Sequence, residues 1–205
     1  MERYEITKSL LSSYDYMFEC FESVQDDAKE AFLSALTRVK EPPNENMVNG
    51  LLFEDEVYKV AHGKQEKAHD KWQKGIELVA HEIMGAPVQI KLFRDFSVCG
   101  MDFRCVGVLD ALQKGIIYDV KYLNKSFGSV DVYGKYLHSP QHSAYFFLVP
   151  EAKEFRYLVS DGQDLYTEVY YPKDIKPFPE ITEEFIEGIK EMGLLEVYKE
   201  HWKIE

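Results

Sequence analysis

The chain has 205 residues, 45% of them hydrophobic, and a formal net charge of −12. This length suits one domain with its own core, and the charge argues against a basic nucleic-acid-binding module. No apolar run reaches the roughly 18 residues of a membrane span, and the opening MERYEITKSL lacks a signal-peptide pattern. Because the three cysteines also lack CxxC spacing, we expect a reduced, cytoplasmic protein with no membrane partner.

The first part of the chain predicts four helices, because apolar residues recur there at spacings of three and four. Prolines, glycines and capping asparagines set the expected ends of these helices. The predicted ranges are 7–21, 25–39, a third helix that starts at Asn46 or Asn49 and ends near Gly63, and 65–84.

The hydrophobic period then changes to that of strands. VQIKLFRDFSV alternates, and FRCVGVLDALQ and IIYDVKYL follow with a tight turn at Lys114-Gly115 between them. The remaining predicted elements are a helix within 131–149 behind Ser139-Pro140, strands at 155–161 and 165–171, and a helix over 182–198. This order predicts an α/β fold in which helices flank a mixed central sheet with a three-strand meander.

Three charged residues lie inside the otherwise apolar hairpin, although buried charges need partners. Pairing about the turn places Asp110 opposite, or nearly opposite, Asp119, with their side chains about 5 Å apart. Lys121 shares a face with Asp119, because side chains alternate along a strand. The hairpin therefore predicts a cluster of two carboxylates and one ammonium.

Two carboxylates this close repel each other unless a cation compensates them, and their oxygens suit Mg²⁺ or Mn²⁺. An adjacent lysine can orient a water molecule or stabilise phosphate charge. The cluster is thus the minimum apparatus for hydrolysing a phosphodiester. The alternative is structural: Asp119 and Lys121 form an ion pair on a solvated face, and Asp110 lies near an edge.

The segments Gly107-Val108-Leu109-Asp110 and Asp119-Val120-Lys121 resemble the G-x-x-D and D-x-K motifs of the PD-(D/E)XK nuclease superfamily. Two further segments resemble motifs of its RecB-like and lambda-exonuclease-like branches: Gln141 to Tyr145 as Q-x-x-x-Y, and Gly50 to Glu54 as G-x-x-x-E. The resemblance covers about half of the chain. It implies a restriction-endonuclease-like core with N-terminal helices.

The resemblance also implies roles for individual residues. The expected ligands of an Mg²⁺ or Mn²⁺ ion are Asp110, Asp119, Glu54 and the backbone carbonyl of Val120. Lys121 is the expected catalytic lysine, Gln141 is expected to order the site and contact DNA, and Tyr145 is expected to face the DNA backbone. Some relatives hold an iron–sulfur cluster through four cysteines, but only Cys20 has a suitable position here, so no cluster is expected.

Several of these roles have simpler alternatives. Asp55 or Glu56 could be the acid in place of Glu54, because the three are adjacent. Gln141 could cap its helix, and Tyr145 could be a core residue within AYFFLV.

The expected organisation is a single nuclease domain over 1–205, with a helical part at 1–48, a catalytic core at 49–171 and a C-terminal helical part at 172–205. The expected function is a metal-dependent DNA nuclease, an exonuclease of phage recombination or DNA repair. Its expected partners are DNA and a single-strand annealing or recombination protein. The motifs fit exo- or endonuclease action, with either strand polarity, on single- or double-stranded DNA or on RNA.

The rival hypothesis is an acidic, non-catalytic interaction protein such as a DNA mimic. The acidic excess lies at the two ends of the chain, whereas residues 51–150 carry equal numbers of acidic and basic side chains. A superfamily member that has lost catalysis is a second rival, although the motif here is whole.

Overall fold

The computed structural model describes residues 2–40, 42–64, 70–129 and 132–204. In chain order its elements are β1 (Arg3–Thr7), α1 (Lys8–Glu19), α2 (Gln25–Leu36), α3 (Glu45–Ala61), α4 (Gln73–Glu82), β2 (Val88–Val98), β3 (Met101–Gln113), β4 (Ile116–Tyr122), α5 (Pro140–Leu148), β5 (Glu154–Ser160), β6 (Leu165–Tyr170), α6 (Phe178–Glu191) and α7 (Leu195–Trp202). Within the described ranges, no helix has both the length and the apolar composition that a bilayer crossing requires.

The strands form one mixed, six-stranded sheet. Its order is β1-β3-β4-β5-β6, and β2 pairs with β3 outside this path. The β2, β3 and β4 strands are the predicted antiparallel meander, and β5 and β6 form a second antiparallel pair. The β1–β3 and β4–β5 pairs are parallel.

Strand β3 has an unpaired stretch in the middle of one edge. Its other edge is taken by β2 from Met101 to Ala111. On this edge β1 pairs with residues 102–106, and β4 pairs with residues 111–113. Residues 107–110, which are the Gly-Val-Leu-Asp segment, pair with neither strand. We refer to this break between β1 and β4 as the strand gap.

Both hairpins of the meander turn through two residues in the left-handed region. Cys99 and Gly100 have φ of 51° and 70°, and Lys114 and Gly115 have φ of 54° and 78°. Positive φ at both central residues is the requirement of a type I′ turn, whose twist matches that of paired strands. The predicted turn at Lys114-Gly115 is confirmed, and its register pairs Ala111 with Tyr118.

Helices cover both faces of the sheet and bury two apolar clusters. The larger cluster joins α1, α2, α5, α6 and α7 to the sheet, and its fully buried members include Leu10, Phe32, Phe155, Tyr157, Phe185 and Tyr198. The smaller cluster joins α3 and α4 to the opposite face through Phe53, Val57, Ile76, Val79 and Leu158. The sheet between them is therefore covered on both sides.

The N-terminal elements differ in two ways from the sequence-based expectation. Strand β1 was not predicted, and it adds a parallel partner to β3. Helix α3 begins earlier than expected, because the side chain of Asn44 rather than Asn46 or Asn49 caps it by accepting from the Met47 N–H at 2.9 Å.

Two other predicted helices also change. The predicted helix 182–198 is two helices, because Gly193 adopts a φ of 72° that breaks the helical path between α6 and α7. The predicted helix 65–84 is described only from residue 70, with α4 over Gln73–Glu82. The start of that prediction, at 65–69, lies outside the described residues. Helix α5 is confirmed, with Ser139 as its cap and Pro140 in its first turn.

Candidate active site

The strand gap is the floor of a cavity of about 390 Å³. Its walls come from the start of α1, from α3, from β3 and β4, and from α5. Five of the side chains that were expected to act together line this cavity: Glu54, Asp110, Asp119, Lys121 and Tyr145. Val120, which lies between Asp119 and Lys121 on β4, also lines it. The structure therefore brings together groups that are up to 91 positions apart in the sequence numbering.

Asp110 bridges the two strands where their backbone pairing ends. The Val120 N–H donates to its Oδ2 at 2.7 Å. Asp110 and Asp119 each lie one residue beyond the last β3–β4 pair, Ala111 with Tyr118, so the two acids are neighbours where the pairing ends. Asp110 itself is one of the residues that line the cavity.

Asp119 is 1% exposed, so a solvated surface ion pair does not describe it. The Gln141 side-chain amide donates to its Oδ1, and Lys121 Nζ lies 2.5 Å from its Oδ2. Within the described part of the chain, Oδ2 is buried and accepts no hydrogen bond of good geometry. One carboxylate oxygen is thus held by α5, and the other faces the lysine.

Glu54 is the acid of α3 that reaches the cavity. Its Oε1 accepts hydrogen bonds from the Tyr58 hydroxyl at 2.6 Å and from the Gln89 side-chain amide at 2.9 Å. The neighbouring Asp55 and Glu56 instead form ion pairs with Lys59 on the helix surface, at 2.6 and 3.0 Å. The helical turn thus separates three adjacent acids, and Glu54 alone of them lines the cavity.

Helix α5 packs closely on the strand gap through Tyr145. The Tyr145 hydroxyl donates to the Val108 carbonyl at 2.7 Å, which supplies a partner to the unpaired stretch of β3. A Cβ on Gly107 would lie 2.7 Å from Leu148 Cδ1 and 3.0 Å from Tyr145 Cε1, so glycine permits this approach. Tyr145 is 2% exposed, and it is both a cavity wall and a core residue.

Burial and neighbouring acids raise the pKa of two acids of the site, Asp110 and Glu54. Burial raises the pKa of Asp110 well above its usual range, and the nearby Asp119 and Glu54 charges add to the effect. Burial also raises the pKa of Glu54, while its hydrogen bond from Tyr58 acts in the opposite direction. The pKa of Lys121 is raised, because the charges of Asp119 and Asp110 outweigh the effect of burial on the ammonium. The site has an excess of negative charge that its own lysine does not cancel.

The oxygen atoms of the site are chemically suited to bind a hard divalent cation. Carboxylate and carbonyl oxygens are the ligands that Mg²⁺ and Mn²⁺ prefer. In the described structure the buried Asp119 Oδ2 has the Lys121 ammonium beside it but accepts no hydrogen bond of good geometry. As they stand, the described His, Cys, Asp and Glu side chains form no group of three that could hold a metal ion. A bound ion would therefore draw on the free oxygens of Asp110, Asp119 and Glu54, the Val120 carbonyl and water.

Lys8 and Gln89 are among the residues of the site that were not predicted from the sequence. Lys8 lines the cavity from the first turn of α1. Gln89 holds Glu54 from β2, and its φ of 53° is unusual for a residue other than glycine. Gln89 lies in the stretch of β2 that faces Asp110, between the pairs of Val88 and Ile90. No motif marks either residue, because their positions depend on pairing between distant segments.

Comparison with known proteins gives similarity in structure alone. No family model matches the chain, and no curated protein matches its sequence. The solved structure of LHK-Exo in complex with dAMP is 13% identical over 95% of this chain and 91% of its own, with a TM-score of 0.52. The crystal structure of SSO0001 is 15% identical over 94% of this chain and 77% of its own, with a TM-score of 0.47.

The likeness to LHK-Exo concerns the fold. With the six-stranded mixed sheet and its flanking helices, it shows that the chain has the expected restriction-endonuclease-like α/β fold. At this identity it assigns no activity to the chain, so the chemistry rests on the residues of the cavity.

Proposed function

We propose that this protein is a divalent-metal-dependent deoxyribonuclease of the PD-(D/E)XK superfamily, in its RecB-like or lambda-exonuclease-like branch. The observation that carries the proposal is the convergence of Asp110, Asp119, Lys121 and Glu54 on one cavity at the strand gap. The fold supports it, because LHK-Exo, whose name marks it as an exonuclease, was solved in complex with dAMP. Fold alone does not imply function, so the residues of the cavity are the main support.

Asp110, Asp119, Glu54 and the Val120 carbonyl would hold the Mg²⁺ or Mn²⁺ ion. When bound, such an ion supplies Lewis-acid stabilisation of phosphate charge. In each of the three acids, hydrogen bonds to one carboxylate oxygen orient the other oxygen. The donors are the Val120 N–H for Asp110, the Gln141 amide for Asp119, and the Tyr58 hydroxyl with the Gln89 amide for Glu54. Each carboxylate is thus restrained before substrate arrives.

Lys121 would act on the reacting phosphate. Its ammonium lies beside Asp119 at the cavity wall, where it can orient the attacking water and stabilise the negative charge that develops on the phosphoryl oxygens. In the reaction a bond forms from the water oxygen to phosphorus, and the phosphorus–oxygen bond of the leaving sugar breaks. The water loses a proton to solvent, and the sugar oxygen gains one.

Gln141 and Tyr145 would act together from α5. Gln141 orders Asp119 directly, and Tyr145 presents its ring to the cavity while its hydroxyl holds β3. Both residues would also contact the DNA substrate. The whole chain would form one nuclease domain, since β1 from the N-terminal part and the helices from both ends belong to the same layers as the core.

The proposed setting is exonucleolytic processing of DNA in phage recombination or repair, in the cytoplasm, with a single-strand annealing or recombination protein as partner. The rival is an acidic interaction protein that mimics DNA. The net charge of −12 favours that rival, because binding to DNA rests on neutralising phosphates with basic side chains.

One digestion experiment separates these functions. End-labelled linear and closed circular DNA, in single- and double-stranded forms, is incubated with the protein in Mg²⁺, Mn²⁺ or EDTA. An exonuclease degrades the linear forms and spares the circles, and EDTA stops the reaction. Asp119→Asn should be inactive, whereas Asp55→Asn, an exposed acid next to Glu54, should retain activity. If the wild type cleaves none of these DNAs with either metal, the nuclease proposal is wrong and the acidic interaction protein becomes the better hypothesis.

A further inference from the structure

Lys8 reaches the site from a side that the nuclease motifs do not cover. Strand β1 runs parallel to β3 and ends with Thr7 paired to Val106, so Lys8 follows at the level where the strand gap begins. Its side chain is partly buried and lines the same cavity as Asp110, Asp119 and Lys121. Its Nζ lies 5.8 Å from the centroid of the Tyr145 ring.

The ammonium of Lys8 has no acceptor among the residues that the structure describes. In the described part of the chain no carboxylate or carbonyl forms an ion pair or hydrogen bond with it, and it lies near the Tyr145 ring instead. Burial lowers the pKa of Lys8, and the charges of Asp119, Asp110 and Glu54 counter this effect. An ammonium carries three donors, so a partly buried one without acceptors is stabilised by an anion that comes within hydrogen-bond distance.

Charge balance indicates what kind of anion the cavity accepts. Three carboxylates and two ammoniums leave a formal charge of about −1, which repels phosphate. One divalent ion changes the sign to about +1, which matches a phosphodiester monoanion. Without Lys8 the loaded site would be formally neutral and would hold the same phosphate less well.

We infer that Lys8 is a second phosphate-binding cation, whose ammonium contacts a non-bridging oxygen of the phosphodiester under attack while Lys121 contacts the same group from β4. This role rests on the proposed nuclease function and extends it to a residue outside the family motifs. Lys8 stabilises the charge that grows on the phosphoryl oxygens, and it holds the substrate through one ionic contact.

The test compares Lys8→Gln, which keeps much of the length of the side chain and removes its charge, with Lys8→Arg, which keeps the charge. Lys29→Gln on the exposed face of α2 is the matched control, since it makes the same change of charge away from every cavity wall described above. The expected result is a loss of 10-fold or more in kcat/KM for Lys8→Gln, with Lys8→Arg and Lys29→Gln close to wild type. The dependence of log(kcat/KM) on log salt should become shallower by about 0.7 to 0.9 for one lost phosphate contact.

A measurement of metal binding distinguishes this role from a structural one. Removing a cation that faces the acids should leave the stabilisation of the protein by Mn²⁺ unchanged or increase it, as measured by thermal unfolding without DNA. If Lys8→Gln abolishes that stabilisation, Lys8 organises the carboxylates instead, and the inference is overturned.

The outcomes also separate this inference from the proposed function. If the wild type cleaves DNA and Lys8→Gln cleaves at the same rate and with the same salt dependence, the role of Lys8 is refuted and the nuclease stands. If the wild type cleaves no DNA, the proposed function fails, and the inference fails with it.

Discussion

The side-chain amide of Gln141 donates a hydrogen bond to Asp119 Oδ1, and this bond ties helix α5 to strand β4 at the buried acid. One turn further along the helix, the Tyr145 hydroxyl donates to the Val108 carbonyl of β3. Residues four apart share a helix face, so the two bonds from one face span the strand gap. Helix α5 therefore fixes the spacing of the two strands that carry the candidate metal ligands.

Lys121→Ala should lose most of the cleavage activity and retain metal binding. The lysine acts on the reacting phosphate, whereas the acids would hold the ion, so the two properties should separate. We expect a loss of at least about 100-fold in kcat with a Mn²⁺-induced rise in Tm close to that of the wild type. Lys125→Ala, an exposed lysine beyond the end of β4, is the control. Cleavage by Lys121→Ala at the parental rate in saturating Mn²⁺ would contradict the assigned role.

Asp110→Asn should stabilise the protein without metal and remove its response to metal. Burial with Asp119 and Glu54 raises the pKa of Asp110, which means that the folded state disfavours its charge. Asparagine keeps an oxygen that can accept from the Val120 N–H and removes that charge. Thermal unfolding in EDTA and in Mn²⁺ measures both effects, and Asp164→Asn at an exposed position provides the comparison. A full Mn²⁺ response in Asp110→Asn would mean that the ion binds elsewhere.

Tyr145→Phe should reduce stability by about 1 kcal/mol, the usual contribution of one hydrogen bond, because the Val108 carbonyl loses its donor.

Gly107→Ala should reduce stability by about 1–3 kcal/mol, since its new methyl group would crowd Leu148 and the Tyr145 ring. Urea unfolding measures both values. Gly50→Ala on α3 has open space around the added methyl group and should not destabilise the protein. Equal stability of Gly107→Ala and the wild type would argue against the close packing of α5 on the strand gap.

The stability of the protein should fall as the pH falls from about 6.5 to 4 through His142. Burial lowers the pKa of this imidazole to about 4, so the unfolded state binds its proton first in that window. The loss attributable to His142 should reach up to about 3 kcal/mol. His142→Phe keeps the ring stacked on Tyr170 and should remove this component.

Asp15 changes stability in the opposite direction as the pH falls, so the wild type has to be compared with His142→Phe. Burial raises the pKa of Asp15 to about 6, so its protonation favours the folded state as the pH falls below that value. The difference between wild type and His142→Phe, measured by urea unfolding at pH 7 and pH 4.5, isolates the histidine. An identical pH dependence in the two proteins would exclude His142 as the cause.

The local parts of this fold follow from the sequence by itself. Alternating strands, a two-residue turn and helical apolar stripes depend on neighbours within a few residues, and these predictions were confirmed for β2, β3, β4, α1 and α5. The turn at Lys114-Gly115 sets the hairpin register, so the closeness of Asp110 and Asp119, one residue beyond the last pair, also followed from local geometry.

Only the tertiary structure decided which distant segments complete the site. The parallel pairing of β1 with β3 stops before Gly107, and this created the strand gap and brought Lys8 to its edge. Packing of α3 selected Glu54 from three adjacent acids, and the backbone of Gln89 turned its side chain towards that acid. The periodicity of a strand does not reveal which distant segment pairs with it, because the energy of that pairing comes from contacts that exist only after the chain has folded.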